Sequence, residues 1–390
     1  MKKTVVVLLV TMLTIMSMVL VGCKSSAELT IPIGLNAELT GGLPIVGASC
    51  KNAALLAVKE VNDAGGLDVG GKKYQIKLFI EDNAYKSDQS VAVTQKLITQ
   101  DNVVAIIGPN ASAMAIPPSE IAETSKVLMI SPWSTNPATT IDSKTGQPKK
   151  YVFRACFIDT FQGKLDAKFA METLGAKRIA VMYDVADDAG VGLSKYFKET
   201  VEQMGGNIVA FETYTSGDKD FSGQLTKIKQ ANPDLIYLPV MYNYVPVQIK
   251  QAHALGITAK FLGSDGWASD ELIKLGGKDV EGTFHTAHYA PDIATPIAQN
   301  FIKAYNTAYS SVPDDVAALT YDSFGMLFES LKTAGKVDRQ AVRDALANMA
   351  HYEGVTGTLQ FKEGSGDPIK SAVILETKNG KFVYYATVQP

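Results

Sequence analysis

With 390 residues, 37 basic and 40 acidic side chains and a formal charge of −3, the chain is too long for one ordinary hydrophobic core and too evenly charged for a nucleic-acid binder. Its three cysteines exclude a disulfide-stapled scaffold. Two domains, each with an ample core, are the expectation.

Met1-Lys2-Lys3 leads into the uncharged stretch Thr4 to Gly22, followed by Cys23-Lys-Ser-Ser. A short basic start and an apolar centre predict a secretory signal over residues 1–22, with a retained membrane anchor as the alternative. Leu20-Val-Gly-Cys23 resembles a bacterial lipoprotein signal. That implies cleavage before Cys23, a diacylglycerol on its thiol, and residues 23–29 as the linker of an extracytoplasmic, lipid-anchored body. Loss of Lys2 and Lys3, with no acid removed, takes the charge from −3 to −5. No second apolar span follows, so a soluble body touching the membrane only through lipid is expected.

From Thr30 the chain alternates strand-like and helix-like segments. Ile31–Leu35, Tyr74–Ile80, Val103–Ile107 and Val127–Ile130 read as strands. Ala48–Ala64, with Ala54, Ala57, Val58 and Val61 at helical spacing, stops at Gly65-Gly66; Ser87–Gln100 behaves similarly. This is the rhythm of a parallel sheet covered by helices. The polar segment Ile141–Lys150 marks a boundary, after which the rhythm restarts. Strands are predicted at Arg178–Tyr183, Asn207–Tyr214, Leu235–Val240, Lys260–Gly263 and Gly282–Tyr289. Helices are predicted at Phe161–Leu174, Leu193–Met204, Phe221–Gln230 and Tyr244–Leu255. Pro296–Tyr309, Val316–Thr333 and Arg339–Met349 are helical with no strands between. Leu359–Phe361, Ala372–Glu376 and Phe382–Ala386 are short strands, the last two around an Asn379-Gly380 turn. Three late helices without strands cannot build a third α/β domain. They are expected to pack back on the first, giving lobes of 30–150 plus 290–352 and 151–289 plus 353–390, with three crossings between them.

The segment Val103 to Pro137 carries the candidate site. Its two β-branched runs end in Gly, Pro, Ser, Thr and Asn, and ligands of such sheets bind beyond the carboxyl ends of the strands. Ser112, Ser134 and Thr135 fall there, and Glu120 is the only titratable residue between Ile106 and Ala122. The segment offers donors for an anion and no catalytic base.

Gly34-Leu-Asn-Ala-Glu-Leu-Thr-Gly41, Ala64-Gly-Gly66, Glu81-Asp82, Ile107-Gly-Pro109, Ser131-Pro-Trp-Ser-Thr-Asn-Pro137, Phe161-Gln-Gly163, Lys219-Asp-Phe221, Gly263-Ser-Asp-Gly266 and Tyr321-Asp322 follow one another in the order and spacing of a known family. Over nearly all of the mature length the chain resembles the amino-acid-binding proteins of ABC importers, the group that includes the leucine/isoleucine/valine-binding protein. The resemblance implies the type I periplasmic binding fold: α/β, two doubly wound parallel-sheet lobes on a three-crossing hinge, closing over one small ligand. It implies that Ser112 and Thr135 hold the ligand carboxylate, that Ser134 makes a backbone contact, that Asp265 meets the ammonium, and that the second-lobe tyrosine falls near Tyr242. It further implies a monomer that delivers an amino acid, branched-chain or otherwise apolar or aromatic, to membrane permease subunits, with no cofactor. The chain departs from the pattern at Val46 and Ala189-Gly190, where aromatics are expected, and at Trp133, commonly a small residue. The wall around the ligand side chain therefore differs.

Plainer readings stand beside these. Ser112 also suits a helix N-cap, Asp265 a turn, Trp133 the core, and Tyr321-Asp322 a hinge. Cys50 and Cys156 suit reduced packing positions, with a disulfide as the lesser alternative. His285 and His288, three apart in an extended segment, point to opposite faces and cannot share a metal ion. No phosphate-binding glycine loop, Cys-x-x-Cys pair or nucleophile elbow is present, so the expected function is binding and not catalysis. An extracytoplasmic sensor domain of the same fold is the alternative function.

Overall fold

A computed structural model describes residues 28–293, 295–361 and 364–390; the expected signal, Cys23 and most of the linker lie outside them. The first lobe is a six-stranded sheet in the order β2-β3-β1-β4-β5-β6, built from β1 (Thr30–Ala37), β2 (Leu67–Val69), β3 (Lys72–Asp82), β4 (Ala105–Ile107), β5 (Leu128–Ser131) and β6 (Val152–Arg154). All pairs are parallel except β2 with β3. Helices α1 (Pro44–Asp63), α2 (Ser87–Thr99) and α3 (Ser112–Ser125) connect them. Every residue of β4 and β5 is buried, which is why these strands read as unbroken apolar runs.

The second lobe has seven strands in the order β16-β15-β11-β10-β9-β7-β8. Its parallel part comprises β7 (Arg178–Asp184), β8 (Asn207–Tyr214), β9 (Leu235–Leu238), β10 (Lys260–Gly263) and β11 (Phe284–Ala287). The hairpin of β15 (Ala372–Lys378) and β16 (Lys381–Val388) closes it antiparallel against β11. Helices α4 (Asp159–Lys168), α5 (Asp188–Gln203), α6 (Ser222–Ala231), α7 (Val245–Ala254) and α8 (Asp270–Gly276) belong to this half.

The late helices α9 (Pro296–Tyr309), α10 (Asp315–Ala334) and α11 (Arg339–Ala347) return to the first lobe. Tyr309 donates to the Asn52 carbonyl at 2.8 Å, Ser49 to Asp314 at 2.6 Å, and Arg339 to the Val103 carbonyl at 2.8 Å. Sheet membership moves two expected boundaries. Val152–Arg154 pairs with β5, so the first crossing follows Arg154 instead of residue 150: the buried edge of β5 needs a partner for its backbone groups. Near the C-terminus, β12 (His351–Gly354), β13 (Gly357–Phe361) and β14 (Pro368–Ile369) form a separate small sheet. It is latched to the first lobe by Asp322, which accepts from the Val355 and Thr356 amides at 2.6 and 2.9 Å. The second sheet is therefore rejoined only at Ala372. Cys50 and Cys156 are both buried and unpaired, and burial pushes each thiol up to about 12.

Candidate functional site

The strand ends of the two lobes face each other across a closed cleft. Asn136 of the first lobe donates to the Asp188 carbonyl of the second at 2.8 Å. Between them lies a small cavity, with about 310 Å³ not filled by atoms when its opening to solvent is counted.

The first lobe contributes Ser112, Trp133 and Thr135, all nearly buried. Ser112 opens α3, whose N-cap is Ala111 with no side-chain cap bond. Its hydroxyl accepts from the Asn136 amide at 3.3 Å and from the Ser134 hydroxyl at 3.2 Å. The capping reading of Ser112 is thus replaced: the first-turn amides stay free of side-chain capping, and helix N-termini favour anions. Behind this turn, the fully buried Glu38 accepts from the Asn110 and Ala111 amides at 3.0 and 3.1 Å. Burial raises its pKa, only partly offset by those bonds. Gly108, at φ +89°, passes so close to Asn36 that a Cβ would strike its carbonyl oxygen.

The loop after β5 alternates as an extended segment does. Trp133 and Thr135 face the cavity; Ser134 does not. The Ser134 amide donates to Ser131 Oγ at 3.2 Å, its carbonyl accepts from Arg154 Nη1, and its hydroxyl lies 2.6 Å from Thr139 Oγ1. The expected ligand contact at Ser134 is corrected accordingly: its polar groups hold the loop. Arg154, fully buried, is the loop's anchor. It also donates to the Asn136 carbonyl at 2.9 Å and pairs with Asp367 at 2.6 Å. Trp133 walls the cavity and belongs to the core at once; its indole N–H is buried without a partner among the described residues.

From the second lobe, Asp265 begins the turn after β10 and lines the cavity, 5% exposed. Its turn and site roles coexist. The turn is clamped by Trp267, whose indole donates to the Leu238 carbonyl at 3.0 Å and lies where a Cβ on Gly263 would be. Asp265 Oδ2 lies 3.2 Å from His288 Nε2. Burial drives His288 down to about 4, opposed by that hydrogen bond, so at neutral pH an uncharged imidazole meets Asp265. Tyr242 does not reach the cavity. Its amide donates to the Gly266 carbonyl at 2.9 Å, and the neighbours Val240 and Met241 line the wall instead. The position is corrected by one residue, and no tyrosine stands there. Val46, in the first turn of α1, is buried in the core, whereas Ala189 and Gly190 do line the cavity.

Sequence reasoning did not single out Asp159, Asp187 or Arg154, and weighed His288 only as a metal ligand. Asp159 is fully buried with both carboxylate oxygens unpaired among the described residues. Burial raises its pKa well above the usual range, against the pull of the neighbouring Thr135 hydroxyl and Arg154. Asp187 lines the cavity and caps α5, accepting from the Ala189 amide at 3.2 Å; the Asp-Asp pair ahead of a helix was its available signal. Arg154 and His288 had none, because their partners are distant in sequence. His285 turns instead toward Trp267 and Phe382. Among the described residues no three His, Cys, Asp or Glu side chains are grouped to hold a metal.

Two parallel-sheet lobes on a hinge, closed over a small polar cavity, define a cleft-type solute-binding protein. The chain belongs to the periplasmic binding protein family, whose model matches residues 30–381; this is an extracytoplasmic family of ligand binders and not of enzymes. Leu/Ile/Val-binding protein homolog 1 of Brucella suis is 30% identical over 364 residues, covering 92% of this chain and 94% of that relative. A leucine-, isoleucine-, valine-, threonine- and alanine-binding protein of Pseudomonas aeruginosa is 31% identical over 341 residues, 87% of each. Among solved structures, the leucine-binding protein LivK of Thermotoga maritima superposes with a TM-score of 0.85 at 35% identity, covering 93% of this chain and 99% of that one. LivJ of Streptococcus pneumoniae, in complex with isoleucine, gives 0.85 at 32%, covering 93% and 100%. No helix among the described residues is long and apolar enough to cross a membrane.

Proposed function

We propose that this protein captures a free α-amino acid in the interlobe cavity and hands it to the membrane subunits of an ABC importer, tethered to the membrane face by lipid on Cys23. One observation carries the reading: hydroxyls and helix-start amides at Ser112 and Thr135 on one lobe face a carboxylate, Asp265, on the other, across the same closed cavity. A zwitterion matches that polarity end to end, and only the closed form brings both sets together, so binding favours closure. Trp133 sits beside the ligand with its N–H available. The names of the relatives in Brucella and Pseudomonas and of the isoleucine complex support an amino acid as ligand.

A thermal-shift screen of the protein against the proteinogenic amino acids tests this. A true ligand at a hundred times its Kd stabilises by about 2.7 kcal/mol and raises Tm with concentration. A folded protein whose Tm responds to none of them would overturn the proposal.

A further inference from the structure

The head-group cavity does not end at Asp187. Asp187, Val240 and Met241 also line a second chamber, with about 670 Å³ not filled by atoms. Ala189 and Gly190 border the first cavity beside Asp187 and project at most a methyl group into it. The walls of the second chamber include Tyr85, Tyr214 and Tyr244 with Asp184 and Asp187. Among the described residues no lysine or arginine lines either space.

The two chamber acids are not equivalent. Asp184 is saturated: it accepts from the Ala186 amide at 2.8 Å, the Ser216 amide at 3.1 Å and the Ser216 hydroxyl. Asp187 accepts amides at the start of its own helix and, only 7% exposed, has no cationic partner among the described residues. Burial and the nearby Asp184 push it up to about 7, the mark of a carboxylate lacking a counter-charge. A second group points the same way. Tyr214 lines the chamber, is 3% exposed, and has only the Gln248 side-chain amide beside its hydroxyl among the described residues. A zwitterion is neutral overall and offers one ammonium, which Asp265 already receives. The remaining negative charge, ringed by aromatic faces, calls for a second cation, for which tyrosine rings and a carboxylate are complementary.

We infer that the ligand is a basic α-amino acid whose distal ammonium or guanidinium lies against Asp187 in the tyrosine-lined chamber. The inference rests on the amino-acid reading above and names the side chain that reading left open. Calorimetric titration of the protein with lysine, ornithine and arginine, against norleucine and norvaline, tests it. Norleucine has the lysine carbon chain without the amine. The tightest basic ligand should bind at least about tenfold better than its uncharged counterpart. Asp187→Asn keeps a capping oxygen on α5, and in it that preference should fall to about one; Asp187→Ser, which also caps, serves if the first variant folds poorly. Norleucine binding as tightly as lysine overturns the inference while leaving the amino-acid reading intact. A preference for lysine that survives both substitutions overturns the assignment to Asp187. Silence of the wild-type protein toward all five ligands overturns the inference, and the amino-acid reading falls with it only if the thermal-shift screen of the proteinogenic amino acids is silent too.

Discussion

Replacing Asp265 by Asn keeps the shape of the side chain and removes its charge. Asp265 is 5% exposed and its hydrogen-bond partner is the uncharged His288, 3.2 Å away. A bound ammonium would therefore supply the counter-charge that the site lacks. Two unit charges about 4 Å apart attract by about 4 kcal/mol at an effective dielectric near 20. Removing one member of such a buried pair costs about 2–5 kcal/mol, because the other stays desolvated and unpaired. Amino-acid affinity should thus fall at least about tenfold, since each 1.4 kcal/mol is one decade. The free protein should barely notice, because the Asn oxygen still accepts from His288 and the Trp267 clamp is untouched. The decisive assay is calorimetric titration of wild type and variant with an amino acid and with the matching carboxylic acid that lacks the amine. The first should lose far more than the second. Equal losses, or none, would remove Asp265 from the ammonium site.

Trp133→Gly should reorder affinities across a panel of amino acids more than it lowers them all; a uniform loss or an unfolded variant would make Trp133 a core residue alone. Arg154→Leu leaves Asp367 without its cation and takes one donor from each of the Ser134 and Asn136 carbonyls, so chemical denaturation should show a loss of about 3–5 kcal/mol; a change under about 1 kcal/mol would dismiss Arg154 as the loop's anchor. Asp187, with a folded pKa near 7, holds a proton that the unfolded chain releases near 4. Its stabilising contribution is present at low pH and lost as pH rises to 7, so the Tm advantage of Asp187→Asn over wild type should grow between pH 4 and 7 and level off above; a flat difference refutes the buried, charge-poor setting made by Asp184 and Asp188 beside it. Cys23→Ala should release the protein from membranes or leave its signal uncut, as fractionation would show; a variant fully processed and still membrane-bound would place the anchor elsewhere.

Much of the scaffold was legible because buried parallel strands and their helices carry strong periodic signals. The runs at Val103–Ile107 and Val127–Ile130 became β4 and β5, with α3 between them, and the strandless late helices did return to the first lobe. The site was legible by region and not by residue. Ser134 and Tyr242 each missed the cavity by one position, while Trp133, Thr135 and Met241 reached it. In extended chain a one-residue step reverses the side chain, and the phase depends on the register at which the loop leaves its strand.

The chain by itself determined the α/β rhythm, the two lobes and the residue types at Ser112, Thr135 and Asp265 that line the cavity, because these follow from local periodicity and residue type. Only the tertiary structure decided what surrounds them. Arg154 meets Asp367 across 213 positions, and His288 meets Asp265 across 23. Asp187 is buried beside Asp184 with no cationic partner among the described residues. Desolvation and through-space pairing depend on distances that no local stretch of sequence specifies.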